Sequence, residues 1–175
     1  MATDRIQYRP IGVVRTPFTE LAGMPIQAAA AGGAEGRIEL DPELAEGLEG
    51  LDGFSHLILI YHLDRVGDRP LRVTSFLADV PHGIFATRSP ARPNPIGLST
   101  VRLVGIDGAT IHIADVDVLD GTPLLDIKPY VPAMDDRADV RIGWYEERIA
   151  RLATTRSDAR FGAGARPANE PEEER

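Results

Sequence analysis

The chain has 175 residues, 43% apolar and 26% charged, with a formal net charge of −8 and no cysteine. That length suits a single domain with a core of its own, and the lack of cysteine excludes disulfides, thiolate metal sites and cysteine nucleophiles. No run approaches the ~18 apolar residues of a membrane span, and the opening MATDRIQYRPIG has no apolar signal core, so a cytoplasmic protein with no membrane contact is expected.

Strand signals dominate along the chain. Residues 11–14 are β-branched and bounded by Pro10 and Pro17, which suits an opening strand. Residues 21–36 are rich in Ala and Gly, contain Pro25 and show no apolar period, so they read as a loop. A short strand over 37–40 is followed by Asp41-Pro42-Glu43, a helix start with Asp as N-cap and Pro at the first helical position. Leu44, Leu48 and Leu51 give that helix a stripe, and Gly47, Gly50 and Gly53 end it. The segment 56–63, HLILIYHL, is a near-continuous apolar run of the kind covered on both faces.

A further strand is expected over 71–76. Residues 100–106 and 110–116 flank Asp107-Gly108 and read as a β-hairpin. A last strand spans 124–130, stopped by Pro129 and Pro132. Residues 142–152, IGWYEERIARL, suit a helix with Ile142, Tyr145, Ile149 and Leu152 on one side. From Thr154 onward there is little to bury, which predicts a domain over 1–153 and a flexible tail over 154–175. The fold class is therefore mainly β: a single closed or partly closed β-barrel with short peripheral helices and a disordered C-terminal tail. Strands do not alternate with long helices and no G-x-G-x-x-G follows a strand, which disfavours a doubly wound sheet.

Three segments interrupt the strands with residues a core would not select. In 85–99, FATRSPARPNPIGLS, the backbone is fixed by Pro90, Pro93, Pro95 and Gly97. A rigid loop loses less entropy on binding, and Arg88 and Arg92 could grip a carboxylate or phosphate from it. The same loop could equally be structural, tied down by arginine–backbone contacts. In 120–132, DGTPLLDIKPYVP, Asp126, Lys128 and Tyr130 alternate on a strand and so share one face, either a polar site or exposed surface. In GMPIQ, residues 23–27, Gln27 can hydrogen-bond an adenine edge or an amino acid. With four His and no Cys, no metal site is expected, and His62 is a core histidine or a pocket wall.

Taken together, IGVVRTPF (11–18), GMPIQ, FSHLILIYHLDR (54–65), FATRSPARPNPIGLS and DGTPLLDIKPY resemble, in order and spacing, the TsaA-like or TrmO family of tRNA adenosine-37 N6-methyltransferases. The resemblance runs from about residue 11 to 132. It implies a β-barrel, S-adenosylmethionine-dependent enzyme that works as a homodimer on the tRNA anticodon loop and methylates N6-threonylcarbamoyladenosine. It also implies donor contacts from Pro25, Ile26, Gln27, His62, Leu63, Arg88, Leu98, Asp120, Gly121, Thr122 and Pro123. Arg92 and Asn94 are expected to bind the acceptor. Asp126 is the expected base near N6, with Lys128 and Tyr130 orienting the acceptor. Ile26 stands where family members often carry Arg, and a C-terminal domain of longer members is expected to be missing. Two other readings stay open: a methyltransferase for a small molecule or another RNA, and a non-catalytic S-adenosylmethionine-binding protein.

Overall fold

The computed structural model describes residues 6–163. Its strands are β1 (Gly12–Arg15), β2 (Glu35–Leu40), β3 (His56–His62), β4 (Arg72–Val73), β5 (His82–Gly83), β6 (Ile96–Asp107), β7 (Thr110–Ala114) and β8 (Thr122–Pro129). Six of them close into a barrel in the order β1-β2-β7-β6-β3-β8, and β4 pairs with β5 in a separate ribbon. All barrel pairings are antiparallel, so one side of each strand faces inward. The interior is filled by fully buried aliphatics, among them Val14, Ile38, Leu57, Leu59, Ile111 and Leu124. Each contributes about 1.5–3 kcal/mol by leaving water.

The mainly-β barrel matches the reading of the sequence, and so does the hairpin of β6 and β7, although Asp107 ends β6 and the two turn residues are Gly108 and Ala109. Asp41 caps as expected, its carboxylate accepting from the amide of Glu43, although the turns that follow, Pro42–Leu48, are 3-10 rather than α. The apolar run in β3 is covered unequally. Leu57, Leu59 and Tyr61 point into the barrel, while Ile58 and Ile60 lie half-buried on its outer wall.

Three expectations are corrected. The strand over 71–76 shrinks to Arg72–Val73, whose partner among the described residues is the two-residue β5. The helix over 142–152 is two 3-10 turns, Gly143–Tyr145 and Ile149–Arg151. There Gly143 takes φ +57°, and side chains bind loop carbonyls: the Trp144 indole donates to Ala86 O at 2.8 Å and Arg151 donates to Leu77 O at 2.8 Å. The tail expected from Thr154 is packed as far as the description reaches. Gly23 N donates to Ser157 O and Ser157 N to Met24 O, and the Phe161 ring meets Phe76 edge-on with centroids 5.2 Å apart. Residues 164–175 lie outside the described residues.

Residues 64–95 and 143–163 form a lobe over the barrel end where β3 finishes and β6 and β8 begin. Its small core is Val73, Ile84 and Ala91, with Val66 and Phe161 against them. Strand β8 carries a bulge: Tyr61 pairs with Leu124, but Ile60 pairs with Asp126, leaving Leu125 as an extra residue. Thr122 and Leu124 therefore face inward above it and Ile127 below it, while Asp126 and Lys128 lie outside.

Candidate functional site

Between the lobe and that barrel end lies a cleft of about 350 Å³. Its floor comes from the barrel: Tyr61, Gly97, Leu98, Val118, Leu119 and Thr122. Tyr61 and Gly97 face each other across β3 and β6, and the phenol ring occupies the space a Cβ at 97 would need. Only glycine lets that buried ring lie flat against the neighbouring strand.

The lobe wall is the proline-rich loop, held by its own hydroxyls. Thr87 Oγ1 donates to Ile84 O at 2.9 Å, and the amides of Ser89 and Ala91 donate to Thr87 Oγ1 and Ser89 Oγ. Arg92 donates to Thr87 O at 2.9 Å and Ile84 O at 3.4 Å, so part of its donor capacity is spent on the backbone. The Arg88 backbone amide donates to the Tyr145 hydroxyl at 3.2 Å, and its exposed side chain lines the cleft, where its charge acts on both Tyr61 and Asp117.

Leu119 and Thr122 reach the cleft from the two ends of a turn in which Gly121 takes φ +81° and Thr122 Oγ1, buried, donates to Leu119 O at 2.7 Å. The carboxylate of Asp120 turns away to accept from Thr16 N at 3.1 Å, with Arg15 Nη1 3.8 Å off.

A hydrogen-bonded chain runs under the cleft. Ser99 Oγ donates to Asp117 Oδ1 at 2.5 Å and in turn meets the Tyr61 hydroxyl at 2.9 Å. With the Ser99 proton on the carboxylate side, Tyr61 is the donor to Ser99. Desolvation pushes the Asp117 carboxyl up to about 6, against the pull of Ser99, backbone amides and the charge of Arg88. Desolvation likewise raises the Tyr61 phenol, helped by the Asp117 charge. Asp117 also borders a neighbouring cavity of about 720 Å³, whose far wall includes Tyr145, Ile149 and Leu152.

The structure gathers Pro25, Ile26, Gln27, Leu63, Arg88, Leu98 and Thr122 around the cleft, together with Arg92. It does not bring His62, Asp120, Gly121, Pro123 or Asn94 onto the cleft wall. His62 is the last residue of β3 and pairs with Ile96, and Asn94 is exposed in the loop. Asp126, Lys128 and Tyr130 share a face, as the alternation requires, but it is the outer wall of the barrel. Asp126 Oδ2 lies 2.7 Å from Lys128 Nζ, and the Tyr130 hydroxyl donates to Asp136 Oδ1 at 2.6 Å, which raises the phenol above its ordinary range. Sequence reasoning missed Asp117, Tyr61 and Ser99, and it missed Ser157, Asp158 and Phe161, which line the cleft from beyond residue 153. The signal for Asp117 was present in DVDVLDGT, an acid at an alternating position inside a strand-like run.

Residues 13–136 match the family described as the tRNA-methyltransferase O N-terminal domain. A probable S-adenosyl-L-methionine-binding protein of Pyrococcus abyssi is 54% identical over 156 residues, 89% of this chain and 85% of its own length. The tRNA (adenine(37)-N6)-methyltransferase of Escherichia coli is 36% identical over 154 residues, 82% of this chain and 66% of its own. A crystal structure of TrmO from Pseudomonas aeruginosa superposes with a TM-score of 0.68 at 39% identity, covering 80% of this chain and 61% of that one. This chain thus spans under two thirds of the solved relative. The chain belongs to the tRNA-methyltransferase O N-terminal domain family.

Proposed function

We propose that the protein is an S-adenosylmethionine-dependent methyltransferase acting on N6 of adenosine 37 in tRNA, with the N6-threonylcarbamoyl nucleoside as acceptor. The observation that carries this reading is the cleft itself. A mostly apolar slot the size of a nucleoside carries carboxylates, Asp64 and Asp158 besides Asp117, and guanidiniums, Arg65 and Arg92 besides Arg88. Those residues fit a donor that has an adenosyl group, a cationic centre and a carboxylate. Leu63, Leu98 and Ile26 would flank its apolar surface, Gln27 and Thr122 lie at its polar edge, and Arg88 would bind its carboxylate. The donor, when bound, supplies an activated methyl group, so the chain's task is to position two reactants and exclude water.

The acceptor class is supported by the lobe. Residues 64–95 and 143–163 hold nine arginines against six acidic residues, on a chain whose overall charge is −8. A polyanion would meet this local basic surface rather than the acidic body. The overall acidity favours a second reading, a small-molecule acceptor, which would lack the steep salt dependence of phosphate contacts. The functional unit extends to residue 163, because Ser157, Asp158 and Phe161 line the cleft. A homodimer in the cytoplasm is the working form that the family resemblance supports.

The test is mass spectrometry of nucleosides from tRNA incubated with the protein and donor. One methyl added to the threonylcarbamoyl nucleoside is the expected result. No added methyl on any adenosine, with the donor bound, would leave a binding protein.

A further inference from the structure

Resting on the proposed methyl transfer, we infer that Asp117, presented by the Tyr61–Ser99 hydrogen-bond chain at the junction of the two cavities, is the group that takes the acceptor's N6 proton. The inference starts from where the cavities meet. Asp117, Arg88, Leu98 and Gln27 border both the 350 Å³ cleft and the 720 Å³ cavity beside it. If the donor fills the first and the acceptor base enters the second, the methyl group passes between them at that shared wall. Ile26, Phe76 and Ser89 border both as well, and Asp117 is the one carboxylate among these shared residues.

Its surroundings suit the task. Ser99 on β6 fixes one carboxylate oxygen at 2.5 Å, and Tyr61 on β3 fixes Ser99, so the carboxylate has a set orientation before any substrate arrives. The charged and titratable groups acting on it are Tyr61 from β3 and Arg88 from the proline-rich loop, and the Ala28 backbone amide favours its charged form; Asp115 and His56 line the same cavity. A carboxyl held near 6 is mostly ionised at neutral pH yet more basic than a free aspartate, the range in which a base is effective. Asp126, by contrast, is neutralised by Lys128 on the outer wall.

A second observation marks the larger cavity as a place that receives a polar molecule. Ser75, 7% exposed, lines it, and its hydroxyl has no partner within the described residues. A buried hydroxyl left without a partner is costly, and a ligand amide or carbonyl in that cavity would satisfy it.

The step balances. The bond from N6 to the methyl carbon forms as the sulfur–carbon bond breaks, and that electron pair stays on sulfur, which becomes a neutral thioether. The N6 proton moves to the Asp117 carboxylate, which later releases it to solvent. No oxidant or further reactant is needed.

The test compares wild type, Asp117→Asn and Asp117→Glu. Calorimetry with S-adenosylmethionine measures donor binding, and single-turnover transfer to threonylcarbamoyl tRNA is followed across about pH 5 to 9. Asp117→Asn is expected to bind donor within about threefold of wild type and to lose about 100-fold or more in transfer, the range of general-base effects. The wild-type rate is expected to fall below a midpoint near 6, a step absent in Asp117→Asn and partly recovered in amplitude by Asp117→Glu. In donor-free wild type, carbon NMR of labelled aspartate should show one carboxyl titrating near 6, which needs no variant to fold. Transfer by Asp117→Asn within threefold of wild type overturns the inference and leaves the proposed function standing. So does the absence of any carboxyl titrating above about 5. No transfer by wild type overturns both.

Discussion

Replacing Gly97 by alanine should unlock the floor of the cleft. A Cβ at position 97 would lie 2.6 Å from Tyr61 Cδ2 and closer still to Cε2 and Cζ. That ring is 6% exposed and its hydroxyl is bound to Ser99, so it has no free direction in which to yield. Overpacking of this kind costs about 1–3 kcal/mol, and loss of the Tyr61–Ser99 hydrogen bond adds about 1 kcal/mol. The sum, about 2–4 kcal/mol, corresponds to a drop in Tm of roughly 5–15 °C for a domain of this size. Urea unfolding followed by tryptophan fluorescence measures it, because Trp144, the single tryptophan, sits in the lobe above the same floor. The double variant Gly97→Ala/Tyr61→Leu separates steric cause from backbone cause. If the ring is the obstacle, the alanine should cost under about 1 kcal/mol once the ring is gone, a coupling of about 1–3 kcal/mol. Equal cost of Gly97→Ala with and without the ring would refute the reasoning.

Two other outcomes are expected. The folded protein favours neutral Asp117, raised from 3.8 to about 6, so this group's stabilising contribution is complete below about pH 4 and is lost as pH rises through 6. Wild type should therefore lose ground to Asp117→Asn between about pH 4 and pH 7 when urea midpoints are compared; a constant difference would show that the carboxyl is not raised. Phe161→Ala removes the edge-on contact with Phe76 and part of the cleft wall. If the donor packs on the Phe161 wall, loss of a contact of about 0.5–1.5 kcal/mol gives a roughly two- to tenfold weaker S-adenosylmethionine affinity by calorimetry, and unchanged affinity would remove Phe161 from the site.

Most of the barrel was legible because its strands are marked by alternation and by turns that only certain residues allow. Asp107-Gly108 and the Val, Ile and Leu of β3, β6 and β7 state their pairing locally. The lobe was not legible, because its order comes from contacts distant in sequence. Trp144 reaches Ala86, Arg151 reaches Leu77, and Arg148 pairs with Asp79, none of which follows from helical periodicity in 142–152. Residues 154–163 read as tail for the same reason: Ser157 is held by Leu21 and Met24, more than a hundred positions upstream. For the site, the motifs identified the loops that form the cleft but not the direction of each side chain. Asp120 and Asp117 look alike in DVDVLDGT, yet one braces Thr16 and the other borders the cavity.

The supernumerary Leu125 has a consequence for how β8 can change. Counting strictly by twos from Thr122 would aim Asp126 and Lys128 into a lumen of aliphatic side chains, where an ion pair is a liability. One inserted residue resets the phase, so the two halves of a single strand obey opposite polarity rules. Deleting it would leave a regular alternation in which Asp126 and Lys128 still face out and Ile127 in, whereas keeping it while flattening the bulge would turn the lower half of the strand inside out.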